Sequence, residues 1–402
     1  MKLPGLDDLS VHGGRVLTRI DINVPVRNGV VTDSTRITRV APTIRRILEL
    51  GGMPVLVAHL GRPNGQIVPE LSLEVTVPAL SAEIGSQVSF VPGPPGRGSL
   101  PAVKSASDGD VLLLENLRFV PGEESNDQAF VRELAMLGDL FCNDAFSAAH
   151  RAHASTAGVP GLLPGCAGDL MQGEIRALTN ALESPQRPFV ACVGGAKISS
   201  KLGLLRSLVK QVDGVVIGGG MANTFLSAQG LGVGRSLCES EMGDSARGIL
   251  DVARRFDCSV TLPDDVVVAP RLETDAPCRV TSADECHPDE MILDLGPKSV
   301  EQVKSVIDTA RTLIWNGPLG AFETRPFDRA TRELVRHAAA RSAAGEMTTV
   351  AGGGDTIAAL NTAGVAGSFS YVSTAGGAFL EWVEGKPLPG IQALLATEGD
   401  SS

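Results

Sequence analysis

The sequence lacks the features of several protein classes. Its 46 acidic and 35 basic residues give a net charge of −11 at pH 7, so its overall field should not attract nucleic acid or an anionic membrane. No apolar run approaches the ~20 residues of a membrane span, and the first residues do not resemble a signal peptide. Its seven cysteines include no CxxC pair, which disfavours zinc or a disulfide framework and favours reduced thiols in the cytoplasm.

Length and composition indicate more than one domain. The chain has 402 residues, whereas a single hydrophobic core stops growing near ~250–300 residues. Apolar residues make up 43% and charged residues 20% of the chain, which is normal for globular proteins. We therefore expect two folded domains.

Short apolar segments alternate with amphipathic segments along the chain. Residues 15–24 alternate with period two, typical of a strand, whereas 36–50 have apolar residues at helical spacing. Further helices are predicted over 72–84, 199–209 and 329–340, and over 125–137, where Ser125 and Gln128 have capping-box positions. Further strands are predicted over 54–60, 111–117, 140–146, 189–193, 214–217, 259–262, 312–315 and 348–351. This alternation predicts parallel sheets covered by helices, with ligands at the carboxyl ends of the strands.

One helical segment marks the predicted domain boundary. Residues 168–182 should form a continuous helix without a neighbouring strand, and Pro185 ends it. We assign residues 1–167 to a first domain, 168–185 to an interdomain helix and hinge, and 186–370 to a second domain. The predicted fold class is α/β, with two doubly wound, Rossmann-like parallel-sheet lobes joined by this helix.

Basic side chains cluster near predicted strand ends in the first half. They are Arg19, Arg36, His59, Arg62, Arg118, His150, Arg151 and His153. Guanidinium groups bind carboxylate or phosphate oxygens in pairs, and Asp21 and Asn23 could orient hydroxyl groups of the same ligand. Any one arginine alone is more simply interpreted as a solvated or ion-paired surface residue. Together, in an acidic chain, they favour a site for a small substrate with several negative charges.

Glycine-rich turns follow predicted strands in the second half, at 194–195, 218–220 and 352–354. Any single turn could simply need a positive φ. Lys197 and Lys201 are four residues apart and are expected on one helical face near its N-terminus, where backbone N–H groups favour phosphate. The GxxxxGK[ST] spacing of a Walker A loop is absent. The three turns together predict a nucleotide site.

Two acidic residues are candidates for nucleotide contacts. Asp355 could hold Mg²⁺, which is commonly bound by one or two carboxylates together with phosphate oxygens. It could also cap the helix that it begins, and the two roles are compatible. Glu323, which follows Asn316 on a loop, could bind ribose hydroxyls or be a solvated acid.

Several sequence strings resemble those of the phosphoglycerate kinase family, in the family's order and over nearly the whole chain. They are DINVPV, HLGRP, ENLRF, GEESND, NDAFSAAHRAH, GGAKISSK, GGGMANTF, LDLGPKS, WNGPLGAFE and GGGDT. Some of these strings are short, but together they are very specific.

The resemblance implies an N-terminal lobe that binds 3-phosphoglycerate or 1,3-bisphosphoglycerate and a C-terminal lobe that binds ADP or ATP with Mg²⁺. Residues 371–402 would form a hinge and a segment returning to the first lobe. The residues matching the family's substrate site are Asp21, Asn23, Arg36, His59, Arg62, Arg118 and Arg151. Those matching its nucleotide site are Lys197, Lys201, Gly219, Asn316, Glu323, Gly353, Gly354, Asp355 and Thr356.

The implied reaction is reversible phosphoryl transfer in glycolysis and gluconeogenesis, by in-line transfer on domain closure. Such chemistry needs positioning and charge neutralisation more than a covalent catalyst. Arg36 and Lys201 are the expected catalytic cations, and Mg²⁺ on Asp355 would neutralise the nucleotide side. A carboxylate acceptor is already ionised at pH 7, so no general base is expected. The family further implies a cytoplasmic monomer without nucleic-acid or membrane partners.

Three other hypotheses compete with this one. Tyr371 stands where the family usually has histidine, and Ala375 where it has glycine; a divergent paralogue, weakly active or specific for a related acyl phosphate, would explain both. A nicotinamide-dependent dehydrogenase would also use glycine-rich turns, but no GxGxxG turn with a ribose-binding acid ~20 residues later is present. A scaffold without a ligand site would leave the two clusters unexplained.

Overall fold

The computed structural model describes residues 3–396 and divides into two compact units. The first comprises residues up to Arg176 and those from Pro387 onward, and the second comprises Ala177–Lys386. Residues 1–2 and 397–402 of the predicted terminal segments lie outside the described part. Between residues 3 and 396, no helix has both the length and the apolar character needed to cross a membrane.

The first unit is organised around a six-stranded parallel sheet with the order β5-β6-β4-β1-β7-β8, and β2 and β3 form a separate hairpin. The strands are β1 (Arg15–Ile20), β2 (Val26–Arg27), β3 (Val30–Val31), β4 (Met53–Val57), β5 (Val88–Val91), β6 (Val111–Leu114), β7 (Leu140–Asp144) and β8 (Gly165–Ala167). Leu17 of β1 pairs with Val55 on one side and with Phe141 on the other, so both edges of β1 are paired. Residues 16–20 are all buried, so both faces of β1 are covered as well.

Helices surround this sheet. They are α1 (Thr35–Glu49), α2 (Val77–Ile84), α3 (Leu100–Ser105), α4 (Pro121–Glu124), α5 (Gln128–Ala135) and α6 (Asp169–Leu182), which continues into the second unit. Helix α1 buries Ile37, Val40, Ile44 and Ile47 along one face, the spacing expected of an amphipathic helix. Shorter 3₁₀ helices cover Leu6–Asp8, Pro69–Leu71, Leu73–Thr76, Arg97–Ser99, Leu117–Phe119, Phe146–Ala148 and Val159–Gly161, and a π-helical turn covers Ala154–Gly158.

The second unit contains a second six-stranded parallel sheet, with the order β11-β10-β9-β15-β16-β17, and an antiparallel sheet, β13-β12-β14. The strands are β9 (Phe189–Val193), β10 (Gly214–Ile217), β11 (Ser259–Thr261), β12 (Asp265–Ala269), β13 (Arg279–Ser282), β14 (Met291–Leu295), β15 (Thr312–Asn316), β16 (Thr348–Gly352) and β17 (Tyr371–Ser373). One of its core clusters joins Trp315 and Leu313 of β15 to helices on one sheet face.

The helices of the second unit lie between these strands in the chain, except the last, which follows β17. They are α7 (Leu202–Leu208), α8 (Gly220–Ala228), α9 (Gly243–Arg255), α10 (Pro297–Thr309), α11 (Arg329–Ala343), α12 (Gly354–Ala363) and α13 (Gly377–Val383). Further 3₁₀ helices cover Ser199–Lys201, Ser240–Met242 and Ala366–Ser368. The last helix, α14 (Pro389–Ala396), belongs to the first unit, where Gly390 N–H donates to the Ala149 carbonyl at 2.9 Å.

The structure confirms the predicted fold class of two doubly wound parallel-sheet α/β lobes. The sequence analysis predicted no strand of the antiparallel sheet β13-β12-β14. Its β13 buries only Thr281 of its four residues and therefore has little apolar periodicity, whereas β12 and β14 are short apolar segments. The strand predicted over 15–24 ends at Ile20, where its pairing with β7 ends. The helix predicted over 72–84 is a 3₁₀ turn over Leu73–Thr76 followed by α2.

The predicted N-cap of the helix over 125–137 was also wrong. Helix α5 begins at Gln128, and its cap is Asp127, whose Oδ1 accepts hydrogen bonds from the N–H groups of Ala129 and Phe130 at 2.9 and 3.0 Å. Ser125 instead donates to the Pro121 carbonyl at 3.3 Å. The cap therefore lies two residues beyond the serine of the capping-box pattern.

We expect Asp127→Ala to lower the free energy of unfolding by about 1 kcal/mol, because it leaves two N–H groups of α5 without their acceptor. Ser125→Ala is the matched control and should change it by less than about 0.5 kcal/mol. Urea unfolding of the full chain measures both. Equal losses in the two variants would contradict the assignment of the cap.

Candidate functional site

The basic residues of the first unit converge at one edge of its sheet. The neighbouring strands β6, β4, β1 and β7 run parallel, so their carboxyl ends lie side by side. Arg118 follows β6, His59 and Arg62 follow β4, Asp21 follows β1, and Arg151 follows β7. These residues therefore lie near one another, as the prediction of a single anion site requires.

Asp21 organises the part of this edge next to β1. Its carboxylate accepts hydrogen bonds from Arg36, on α1, and from the hydroxyl of Ser147. The Asn23 N–H donates to Asp21 Oδ1 at 3.1 Å, and Asn23 Oδ1 accepts from the Gly61 N–H at 3.0 Å. The Arg36 side chain remains 31% exposed, so it can contact a ligand while Asp21 holds it.

Arg118 and Arg151 lie close enough to influence each other. Burial first, and then Arg151, lowers the pKa of Arg118 to about 10, although Glu124 acts in the opposite direction. Arg118 Nη1 donates to the Gly61 carbonyl at 2.7 Å, and its Nε lies 3.0 Å from Glu124 Oε1. Arg151 Nε lies 3.2 Å from His150 Nε2, to which it donates.

His59 and His153 are neutral at pH 7. Burial, followed by the positive charges of Arg118 and Arg19, lowers the pKa of His153 to about 4. Burial and Arg19 lower the pKa of His59 well below its usual value. The positive charge of this site therefore comes from arginine.

Arg62 differs from the other arginines because it is exposed. Within residues 3–396 it makes no hydrogen bond or ion pair with another side chain, which leaves its guanidinium free for a ligand.

Three polar residues that contribute to this edge were missed by sequence reasoning, namely Glu123, Ser147 and Ser155. Two of them lie in the strings GEESND and NDAFSAAHRAH, but polar residues in short helical turns have no pattern that marks them as buried.

The glycine-rich turns of the second unit likewise converge. They follow β10, β9, β15 and β16, which are neighbours in one parallel sheet. The turns approach so closely that a Cβ on Gly194 would lie 1.9 Å from the Pro318 carbonyl oxygen, and Gly317 has a φ of 95°. Only glycine fits both requirements.

Lys201 Nζ lies between two of these turns. It donates to the carbonyls of Gly194 at 2.6 Å and Asn316 at 3.1 Å. Burial lowers the pKa of Lys201 to about 8, although the Asp355 carboxylate acts in the opposite direction. The ammonium is thus held at the strand ends, with part of its hydration removed.

The prediction that Lys197 and Lys201 share a helical face was wrong. Lys197 is exposed in a loop, Ser199–Lys201 is a 3₁₀ turn, and α7 begins only at Leu202. The Ser199 N–H donates to Glu239 Oε2 at 2.9 Å, which fixes the chain before the helix. Lys197 and Lys201 therefore do not lie together on one helix.

Asn316 and Thr356 connect the turns to each other. Asn316 Nδ2 donates to the Gly352 carbonyl at 2.6 Å. Thr356 Oγ1 donates to the same carbonyl at 2.8 Å and accepts from the Gly317 N–H at 2.6 Å. Both side chains are buried, so their contacts hold the backbone of the turns in place.

A pocket of roughly 300 Å³ opens beside these turns and contains three of the predicted nucleotide residues, Gly219, Glu323 and Asp355. Its apolar walls include Leu237, Leu272, Leu293 and Phe322. A mostly apolar cleft with a few polar groups at its rim is typical of sites for small organic ligands.

The donor set around Asp355 is compatible with Mg²⁺. Gly353 is the N-cap of α12, so the exposed Asp355 carboxylate is not used as the cap. Within residues 3–396 no group of three or more His, Cys, Asp or Glu side chains could hold a metal ion. A single carboxylate suits Mg²⁺ that is shared with phosphate oxygens and water, which is its usual coordination.

The two departures near the end of the second unit are accommodated locally. Ala375 is buried, and its N–H donates to the Ser373 hydroxyl at 3.3 Å. The left-handed conformation falls on the next residue, Gly376, with a φ of 55°. Tyr371 lies on the edge strand β17, opposite Val350 of β16. The methyl group of Ala375 therefore does not require a strained backbone.

Comparisons with known proteins agree over almost the full length. The family model described as phosphoglycerate kinase matches residues 6–386. The phosphoglycerate kinase of Dinoroseobacter shibae is 59% identical over 391 residues, 97% of this chain and 98% of that protein. That of a Jannaschia species is 56% identical over 398 residues, 99% of this chain and 100% of that protein. A solved phosphoglycerate kinase structure from Coxiella burnetii has a TM-score of 0.91 at 41% identity and covers 98% of this chain and 99% of that one.

These similarities confirm the resemblance that the sequence strings indicated, and they give no support to a divergent paralogue. The family assignment thus rests on both the sequence and the fold, because the relatives are similar in sequence and the solved structure has the same fold. Identity above half of all residues over nearly the whole chain leaves no room for a different family. The chain belongs to the phosphoglycerate kinase family of carboxyl-group phosphotransferases.

Proposed function

We propose that the chain catalyses reversible phosphoryl transfer between 1,3-bisphosphoglycerate and ADP, giving 3-phosphoglycerate and ATP. One observation carries this proposal: the carboxyl edges of the two parallel sheets collect two different sets of ligand-binding groups. One site is rich in guanidinium groups, and the other combines glycine turns with Lys201 and Asp355. An anionic substrate and a nucleotide are the ligands that suit these two chemistries.

We assign the glycerate substrate to the first unit. Several guanidinium groups at one edge suit a small molecule with both a carboxyl and a phosphate group, since each group can be bound in a bidentate manner. Arg62 and Arg36 retain the exposure needed for contact. The proposed substrate residues are Asp21, Asn23, Arg36, His59, Arg62, Arg118 and Arg151.

We assign the nucleotide to the second unit. The apolar walls of its pocket would receive the base, and Glu323 at the rim would accept hydrogen bonds from ribose hydroxyls. Lys197 and Lys201 would face the phosphates, together with the backbone of Gly219, Gly353 and Gly354. Asn316 and Thr356 would act by holding the turns.

The proposed chemistry rests on charge and position. Arg36 and Lys201 would stabilise the negative charge on the phosphoryl group as it moves between in-line oxygens. The acceptor carboxylate, with a pKa near ~3.5 in solution, needs no general base at pH 7. Asp355 would hold Mg²⁺, which supplies charge neutralisation at the nucleotide oxygens when bound. Domain closure belongs to the proposal because the two reactants are assigned to different units.

The cellular setting follows from the same assignment. The reaction serves glycolysis and gluconeogenesis, and we propose that the chain acts in the cytoplasm as a monomer. All seven cysteines are free thiols, which supports a reducing compartment.

Replacement of Arg36 or Lys201 tests the two proposed catalytic cations. With ATP, Mg²⁺ and 3-phosphoglycerate in a coupled assay, we expect clear turnover by the parent and a fall in kcat of about 10²–10³ in Arg36→Ala and in Lys201→Ala, since each removes a charge aimed at the transferring group. Arg45→Ala on the same helix and Lys210→Ala just after α7 are matched controls and should retain activity. A folded, nucleotide-binding parent without turnover would refute the proposed reaction.

The pH dependence of nucleotide binding tests Lys201 separately. Because the pKa of Lys201 is about 8, its ammonium is present below that pH and is lost as the pH rises through it. The dissociation constant for ADP should therefore increase above about pH 8. Calorimetry from about pH 6 to about pH 10 would measure it. In Lys201→Arg, which stays charged, the dissociation constant should no longer increase above about pH 8. If it still increases as in the parent, another group is responsible for the pH dependence.

Replacement of Asp355 tests the metal assignment. We expect Asp355→Asn to raise the Mg²⁺ concentration for half-maximal activity about tenfold or more, because it removes the carboxylate charge that favours the cation. Metal-free ADP binding, measured in the presence of a chelator, should change little. A comparable loss of metal-free binding would show that Asp355 acts on the turn or on the nucleotide itself.

A further inference from the structure

Arg19 is a buried cation of the first unit that makes no direct contribution to the exposed edge. It lies within β1 and is 1% exposed. Its Nε donates to Ser155 Oγ at 3.0 Å, its Nη1 donates to the Ile20 carbonyl, and its Nη2 lies 2.8 Å from His59 Nδ1. A guanidinium without water requires such partners, since an unpaired buried charge is very costly.

Glu123 balances the charge of Arg19 through one serine. The Ser155 hydroxyl donates to Glu123 Oε1 at 2.6 Å, and the Ser155 N–H donates to Glu123 Oε2 at 3.0 Å. Glu123 is also 1% exposed. Burial raises the pKa of Glu123, while Arg19 and the bonds from Ser155 act in the opposite direction. Glu123, Ser155, Arg19 and His59 thus form one buried chain, which we call the Arg19 network.

The chemistry of arginine fixes the direction of the contact with His59. A guanidinium has five N–H donors and no acceptor, so His59 Nδ1 must accept from Arg19 and cannot itself carry a proton. In a neutral imidazole with a bare Nδ1, the proton is on Nε2.

The surroundings of His59 favour the neutral ring. Burial lowers the pKa of His59, and Arg19, Arg118, Arg151 and His153 add to this effect. In the part of the chain that the structure describes, no protein atom is hydrogen-bonded to His59 Nε2. That N–H is therefore left for a ligand at the same edge as Arg118 and Arg151.

We propose that Arg19 is a positioning residue that, held by Ser155 and Glu123, keeps His59 in its Nε2–H tautomer as a neutral hydrogen-bond donor to an oxygen of the anionic substrate. The identity of that substrate rests on the proposed function, whereas the tautomer is a property of the free protein. The network thereby adds a directional donor to the site without adding another charge.

The tautomer can be measured without any substrate. In long-range ¹H–¹⁵N spectra of the parent at pH 7, His59 should show a protonated Nε2 and a bare Nδ1, with its signals identified by their loss in His59→Gln. Arg19→Met should yield a mixture of tautomers, whereas Arg15→Met, on the same strand, should leave the His59 signals unchanged. A protonated Nδ1 in the parent would overturn the proposal even if the Arg19 variant fails to fold.

Two replacements of His59 test the donor in turnover. The glutamine amide nitrogen can occupy the place of Nε2, whereas that of asparagine reaches only the place of Nδ1. We expect the KM for 3-phosphoglycerate in His59→Asn to exceed that in His59→Gln about tenfold or more, because a hydrogen bond to a charged group is lost. The KM for ATP should be the same in both. Equal KM values for 3-phosphoglycerate would overturn the donor role.

Ser155→Ala separates positioning from charge, because it keeps both Arg19 and Glu123. It should raise the KM for 3-phosphoglycerate with little change in kcat and broaden or shift the His59 nitrogen signals. Unchanged signals would remove Ser155 and Glu123 from the proposal. If the parent does not turn over 3-phosphoglycerate at all, the proposed function fails while the nitrogen spectra still decide the tautomer.

Discussion

The central strands of both parallel sheets are covered on both faces, and this constraint decides where chemistry can take place. Strands β4, β9 and β15 are buried at all five positions. A charged side chain inside such a strand, like Arg19, must find all its partners within the protein. Groups that are to meet a ligand must therefore follow the strands, as Arg118 and Lys201 do. The glycine turns obey the same constraint, since several strand ends share a space too small for side chains at Gly194 and Gly317.

Within the first unit, burial affects arginine and histidine differently: the arginines keep their charge, whereas buried histidines lose theirs and keep only the ability to form hydrogen bonds. Arg118 keeps its charge at neutral pH although burial lowers its pKa to about 10. His153, with a pKa of about 4, does not. A site with four guanidinium groups already attracts an anion strongly, and a further imidazolium among them would have to overcome their repulsion. A neutral histidine therefore adds a hydrogen-bond donor without adding charge repulsion. It can do so only if a neighbouring group fixes which ring nitrogen carries the proton.

The sequence could predict the fold, and it could predict that the candidate site residues gather at strand ends, because both depend on regular features. Alternating segments predicted the parallel sheets, and residues following strands had to converge. It could not predict the helix start at Leu202 or the cap at Asp127, since both depend on single tertiary or loop contacts, such as that of Ser199 with Glu239. The Arg19 network was also hidden: Glu123 and Ser155 lie far apart in the chain, and nothing in their local pattern distinguishes a buried acid from a solvated one.

Lys201 differs from the arginines of the first unit because its charge can respond to the proposed nucleotide. Desolvation lowers the pKa of Lys201 to about 8, so that near this pH the ammonium, which donates to two carbonyls, is close to losing a proton. A nucleotide that brings phosphate charge close to this nitrogen must favour the protonated form, and so raise its pKa. Binding and protonation then strengthen each other by the same factor. Near pH 8, nucleotide binding should consequently take up part of a proton from solution, whereas a guanidinium in the same place would take up none.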